Sequence, residues 1–156
     1  MDQKVGPYSS PGAVKHWAAM LTAPMMALIS GEITATVCNA ALGAVNVSGS
    51  IKAVWLSVEE SGKDDTNTLS FTVDVKINGT TCLTTQPIIA HVSGEASTNK
   101  TTKTSLDTGV TQSVMDASAN DVTLGDMLTY EMTLTRTASP TTEMRNIAIA
   151  VEIEPA

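Results

Sequence analysis

Two stretches near the end of the chain alternate large apolar side chains with polar or small ones without a slip. Leu128, Tyr130, Met132 and Leu134 are separated by Thr129, Glu131 and Thr133; beyond a break around Pro140, Ile147, Ile149, Val151 and Ile153 are separated by Ala148, Ala150 and Glu152. Successive side chains of a strand point to opposite faces, so a period of two describes a strand with one face in a core. A helix would scatter the same residues around its surface. About one residue in seven is threonine, whose branched Cβ suits a pleated sheet and disfavours a helix. The expectation is an all-β chain, and 156 residues suffice for one domain with a sizeable core.

Further strands follow from the same pattern. In "LSFTVDVKINGTTCLTTQP" (69–87), Phe71, Val73, Val75 and Ile77 point inward, and Asn78-Gly79 closes a hairpin. Asn-Gly is favoured in the type I′ turn, whose twist matches that of paired strands. "SIKAVWLSVE" (50–59) places Val54, Leu56 and Val58 on one face and Ile51, Ala53 and Trp55 on the other, which predicts a central strand. "EITATVC" (32–38) predicts the first strand of the sheet domain, "PIIAHV" (87–92) a short one and "GVTQSVM" (109–115) another. Residues 61–67 and 93–107 predict polar loops. The total is about eight strands, arranged as a jelly-roll-like antiparallel β-sandwich over residues 32–156.

Residues 1–31 read differently. Pro7, Pro11, Gly6 and Gly12 oppose regular structure, a short helix is possible over 13–21, and Pro24 interrupts the apolar run 17–30. That run is too short and broken to span a bilayer, and Pro7, Pro11 and Asp2 ahead of it argue against a signal peptide. Trp17, Met20, Leu21, Met25, Met26, Leu28 and Ile29 are large apolar side chains that such a segment cannot bury by itself. The expectation is an extended N-terminal arm, 1–31, which uses these seven residues to bind a partner.

Several functions are poorly served. Aromatic residues are limited to Tyr8, Trp17, Trp55, Phe71 and Tyr130, too few for a platform of several stacked rings. The net charge is −7, and since residues 1–31 carry Lys4 and Lys15 against Asp2, the remainder carries −8 and repels a phosphate backbone. Glu59, Glu60, Asp64 and Asp65 cluster on one turn without the spacing of a calcium loop or of a catalytic pair held across a cleft. His16, His91, Cys38 and Cys82 lack zinc-ligand spacing, and no nucleophile elbow or phosphate loop is present. The expectation is no catalytic residue, no metal and no cofactor. Cys38 and Cys82 lie in apolar strand contexts and read as reduced core thiols.

The stretch "TLGDMLTYEMTLTRTASPTTEMRNIAIAVEIEP" (123–155) resembles the last two strands of small jelly-roll proteins of tailed-bacteriophage virions, and "LSFTVDVKINGTTCLTTQPIIA" (69–90) is similar to their inner hairpin. The resemblance spans about residues 50–153. It implies a capsid decoration (cement) or head-fibre protein, commonly a homotrimer, assembled in the host cytoplasm and located on the virion. Its partner would be the major capsid protein or another virion protein, with no nucleic acid and no membrane involved. The alternatives are a receptor- or glycan-binding domain of a head or tail fibre, or a secreted carbohydrate-binding module. An exposed Trp55 or Tyr130 beside the 93–107 loop would favour these.

Overall fold

The computed structural model of the protein describes residues 24–136 and 139–156. Among them are thirteen strands and no helix: β1 (Met25–Glu32), β2 (Val37–Ala44), β3 (Gly49–Glu60), β4 (Leu69–Ile77), β5 (Thr80–Thr81), β6 (Leu83–Thr85), β7 (Ile88–Ala90), β8 (Lys100–Thr101), β9 (Val110–Thr111), β10 (Val114–Met115), β11 (Asp121–Val122), β12 (Met127–Arg136) and β13 (Arg145–Pro155). The first sheet has the order β1-β13-β3-β11, with β8 also on β3; the second has the order β2-β12-β4-β7-β9, with β5 on β4. β6 and β10 form a small ribbon, and all pairings are antiparallel.

When β8 and β11 are taken together as the sixth strand position, the two sheets read 1-8-3-6 and 2-7-4-5. That interleaving is the order of a jelly roll, in which two Greek keys wrap one sheet over the other. The core lies between the sheets. Ile51, Val54, Leu56, Ile147, Ile149 and Val151 of the first sheet face Phe71, Val73, Val75, Leu128 and Met132 of the second, all buried. The β4–β12 ladder is unbroken from Leu128↔Ile77 to Arg136↔Leu69, so the inward residues of the two strands stand opposite each other in pairs. Asn78 and Gly79 both have positive φ, 49° and 90°, as the type I′ turn requires.

Several sequence expectations need correction. The sandwich begins at Met25, since β1 pairs with β13 from Met25↔Val151 to Glu32↔Arg145. Met25, Met26, Leu28 and Ile29 are therefore sheet residues, whereas Trp17, Met20, Leu21 and the helix expected over 13–21 lie outside the described residues. Residues 33–36, expected within the first strand, link β1 to β2, and Ile33 is buried there with its N–H donating to Met144 O. Ile51 faces the core with Val54, because the β3–β13 register jumps from Ala53↔Glu152 to Ile51↔Ile153. The extra residue, Lys52, makes a bulge that reverses the facing of every residue before it. Gly49 lies in the same crossing: a Cβ there would fall 2.0 Å from Glu154 O. The strand expected over 87–92 is limited to Ile88–Ala90, and the one over 109–115 is split into β9 and β10. Both cysteines are free thiols, but only Cys82 is buried; Cys38 is exposed on β2. Burial raises the Cys82 thiol to a pKa of about 11, and its Sγ lies 3.3 Å from Val75 O.

Candidate functional site

The outer face of the first sheet is the most distinctive surface of the molecule. β1 lies at the sheet's edge, and among the described residues it pairs only with β13. Its inward residues Met25, Ala27 and Ile29 pack on the core, while Met26 and Leu28 point outward, 56% and 72% exposed. The register carries two rows across the sheet. Met26 stands beside Ala150, which stands beside Trp55; Leu28 stands beside Ala148, then Ser57, then Thr101. Alanine side chains are short, so Met26 and Leu28 on one side and Trp55 on the other flank a shallow apolar trough floored by Ala148 and Ala150. Residues 24–31 carry no charge. Of the seven expected partner-binding residues, Met25 and Ile29 support the core and Met26 and Leu28 are available at the surface.

On the far side of β3 the surface turns polar. Trp55 is half-buried, and Lys103 Nζ lies 4.6 Å from its ring centroid, within cation–π range. Two residues along β3, at Ser57, opens a hollow of about 280 Å³ lined by Ser57, Val58, Asn99, Lys100, Thr101 and Asp107. The segment that forms its far wall is held firmly in place. Thr102 is buried, its N–H donating to Leu56 O and its Oγ1 accepting from Leu56 N, both at 2.9 Å. Thr101 N donates to Asp107 Oδ2 at 2.9 Å. Tyr130, by contrast, is buried.

Lys100 was hidden within a sequence that read as a polar loop. Its side chain is 3% exposed, and Nζ donates to Ala90 O (3.0 Å), Thr108 O (2.8 Å) and Glu95 Oε2 (2.7 Å). An ammonium has three donors, so every one is satisfied. β8 belongs to the first sheet and Ala90 to the second, so this lysine clamps the two sheets together.

The acidic turn is structural in the same way. Asp64 is buried and accepts from the N–H groups of Thr66 and Asn67. Asp65 accepts from Gly94 N at 2.7 Å and faces His91 Nε2 at 3.0 Å, so the turn and the start of the 93–107 segment are tied together. The Gly94 N–H, then His91, lower the Asp65 carboxyl to a pKa of about 2. Glu60 lies 3.9 Å from Arg145, and Glu59 bonds the Asn146 amide. Among the described residues no three His, Cys, Asp or Glu side chains converge as a metal site would need, and no helix is long and apolar enough to cross a membrane. His16 lies outside the described residues. Comparison with family models, with curated proteins and with solved structures gave no match to this chain.

Proposed function

We propose that the chain is a structural protein of a tailed-phage virion, a capsid decoration (cement) protein that self-associates through the β1 side of its first sheet and binds the shell as that assembly. The observation that carries this reading is the edge strand β1, uncharged from Met25 to Gly31, which presents Met26 and Leu28 outward beside Ala148 and Ala150 on a chain of net charge −7. An edge strand with apolar outward residues, whose one charge lies at its last residue, Glu32, is suited to covering by a neighbour. The resemblance of residues 69–90 and 123–155 to virion jelly-roll proteins and the interleaved strand order both support it.

The neighbour assigned to the β1 side is a second copy of the chain, so the trimer would form first and the shell would receive it. Repetition over a lattice then turns weak contacts into firm attachment, because each link after the first forms at a high effective concentration. The mechanism is mechanical and needs no catalytic residue. The test is electron cryo-microscopy of intact particles with mass-spectrometric copy number. Density for the sandwich on the outer shell, in copies that follow the capsomers, supports the proposal; a chain absent from particles, or present only at the tail tip, overturns it.

A further inference from the structure

We propose that the hollow beside Trp55 binds one pyranose ring of a neutral glycan, with the Trp55 indole as its stacking face. This does not rest on the virion reading. A pyranose has an apolar C–H face and an edge of hydroxyls, and it is recognised where an aromatic ring adjoins a few fixed donors and acceptors. Trp55 does not itself line the hollow, but it lies two residues from Ser57, which does, on the outward face of β3, roughly 7 Å along the strand; a sugar seated over Ser57 is within reach of the ring. The position of Lys103 Nζ, 4.6 Å from the ring centroid, shows that a face of the indole is turned toward the exposed loop. Lys103 is itself exposed and can swing to the rim of a bound sugar.

The polar lining is suited to hydroxyls. Asp107 uses Oδ2 to hold Thr101 N, which leaves Oδ1 turned to other acceptor duty. Ser57 Oγ donates to Thr101 Oγ1 and keeps its lone pairs for a ligand hydroxyl. The exposed Asn99 amide offers both donor and acceptor. At about 280 Å³ the hollow is near the lower end of small-ligand sites, roughly 300–1,000 Å³, which suits a single ring. Charge selects among sugars. Asp107 lines the hollow, the chain carries −7, and the Lys100 ammonium is spent on Ala90, Thr108 and Glu95, which leaves the exposed Lys103 at the rim as the cation facing the Asp107 carboxylate's field, so a neutral ring is favoured over uronates and phosphosugars.

The experiment uses the full chain. A printed array of neutral glycans identifies the best probe, and its binding is then followed through the Trp55 indole N–H resonance, assigned with Trp55→Phe. The expected result is saturable binding that shifts this resonance, weakened about tenfold or more by Trp55→Ala and several-fold by Asp107→Asn. The Asn variant keeps an acceptor for Thr101 N, and Trp55 lies outside the core, so both variants should melt as the parent does. Lys103→Ala should leave affinity within a few-fold, and polygalacturonate should not compete. The proposal fails if no neutral glycan moves the Trp55 resonance, if Trp55→Ala binds the probe unchanged, or if polygalacturonate is preferred. It fails equally if Trp55→Ala alters only the association of the chain with itself.

Discussion

Lys100 shows how much one side chain can decide in a small sandwich. Its ammonium has three acceptors from three separate points of the chain, and one of them, Ala90 O, belongs to the opposite sheet. Lys100→Met keeps the stem and removes the donors, leaving two backbone carbonyls and the Glu95 carboxylate to find other partners. Leaving such groups unsatisfied costs roughly 1–3 kcal/mol, so the unfolding free energy of the variant should fall by that amount and its urea midpoint should fall with it. An unchanged midpoint would mean that water replaces the ammonium. Asp65 makes a second residue-scale case, through pH. Its carboxyl is lowered from 3.8 to about 2 by the Gly94 N–H and His91. A group whose folded pKa is depressed contributes stability above its unfolded pKa and loses it as pH falls through the folded one. The difference in melting temperature between the parent and Asp65→Asn should therefore be full above about pH 4 and shrink toward pH 2. A difference that does not change across that window would show that the contact works without the charge.

At the scale of elements, β1 is the strand on which the surface depends and the one hardest to read. β12, β13 and the β4 hairpin were legible because their outward residues are polar or, at Ala148 and Ala150, small, so the alternation with large apolar residues was visible and the Asn-Gly turn set the register. β1 has inward Met25, Ala27 and Ile29, but its outward Met26 and Leu28 are apolar too, and the run showed no period of two. Its partner β13 lies more than a hundred residues away, and no local signal announces such a pairing. The bulge at Lys52 escaped notice for a related reason, since only the partner strand reveals an extra residue. Lys100 was missed because a lysine among threonines reads as solvated, and its acceptors come together only in the fold. Trp55 was legible as a candidate, but the hollow next along β3 is built with Asn99 and Asp107 of a segment that reads only as a polar loop. A pair of truncations tests the revised boundary. A chain starting at Pro24 should keep a cooperative thermal transition, because the described sheets close without the residues before it. A chain starting at Ile33 loses β1, uncovers the β13 edge and removes Met25, Ala27 and Ile29 from the core, so it should aggregate or fail to melt cooperatively. A well-folded shorter chain would show β1 to be an accessory strand.

For the whole molecule, the balance between surface and charge points to association at one place. The chain carries −7, so copies repel one another except where charge is absent, and residues 24–31 with Ala148 and Ala150 form such a place. Full burial of an exposed Met or Leu side chain contributes about 1.5–3 kcal/mol; Met26 and Leu28, 56% and 72% exposed, have only part of that left to gain, and the gain is reduced by the cost of fixing the partners together. Two side chains per copy make a small anchor, so the proposed trimer, when free, should be of micromolar strength and become firm only when the lattice multiplies its contacts. Light scattering at concentrations from about one to one hundred micromolar should show mass rising from the 16.3 kDa chain toward three times that value. Both anchors point outward, so Met26→Asp with Leu28→Asp should hold the chain at the monomer mass, and its melting transition at low concentration should stay close to that of the parent. Added salt separates two causes of association. Screening weakens repulsion between acidic copies and should strengthen the parent trimer, whereas an assembly held by surface ion pairs would weaken. If the double variant still forms trimers, the contact lies elsewhere on the sandwich or in residues 1–23, and β1 is a closed edge and not an interface.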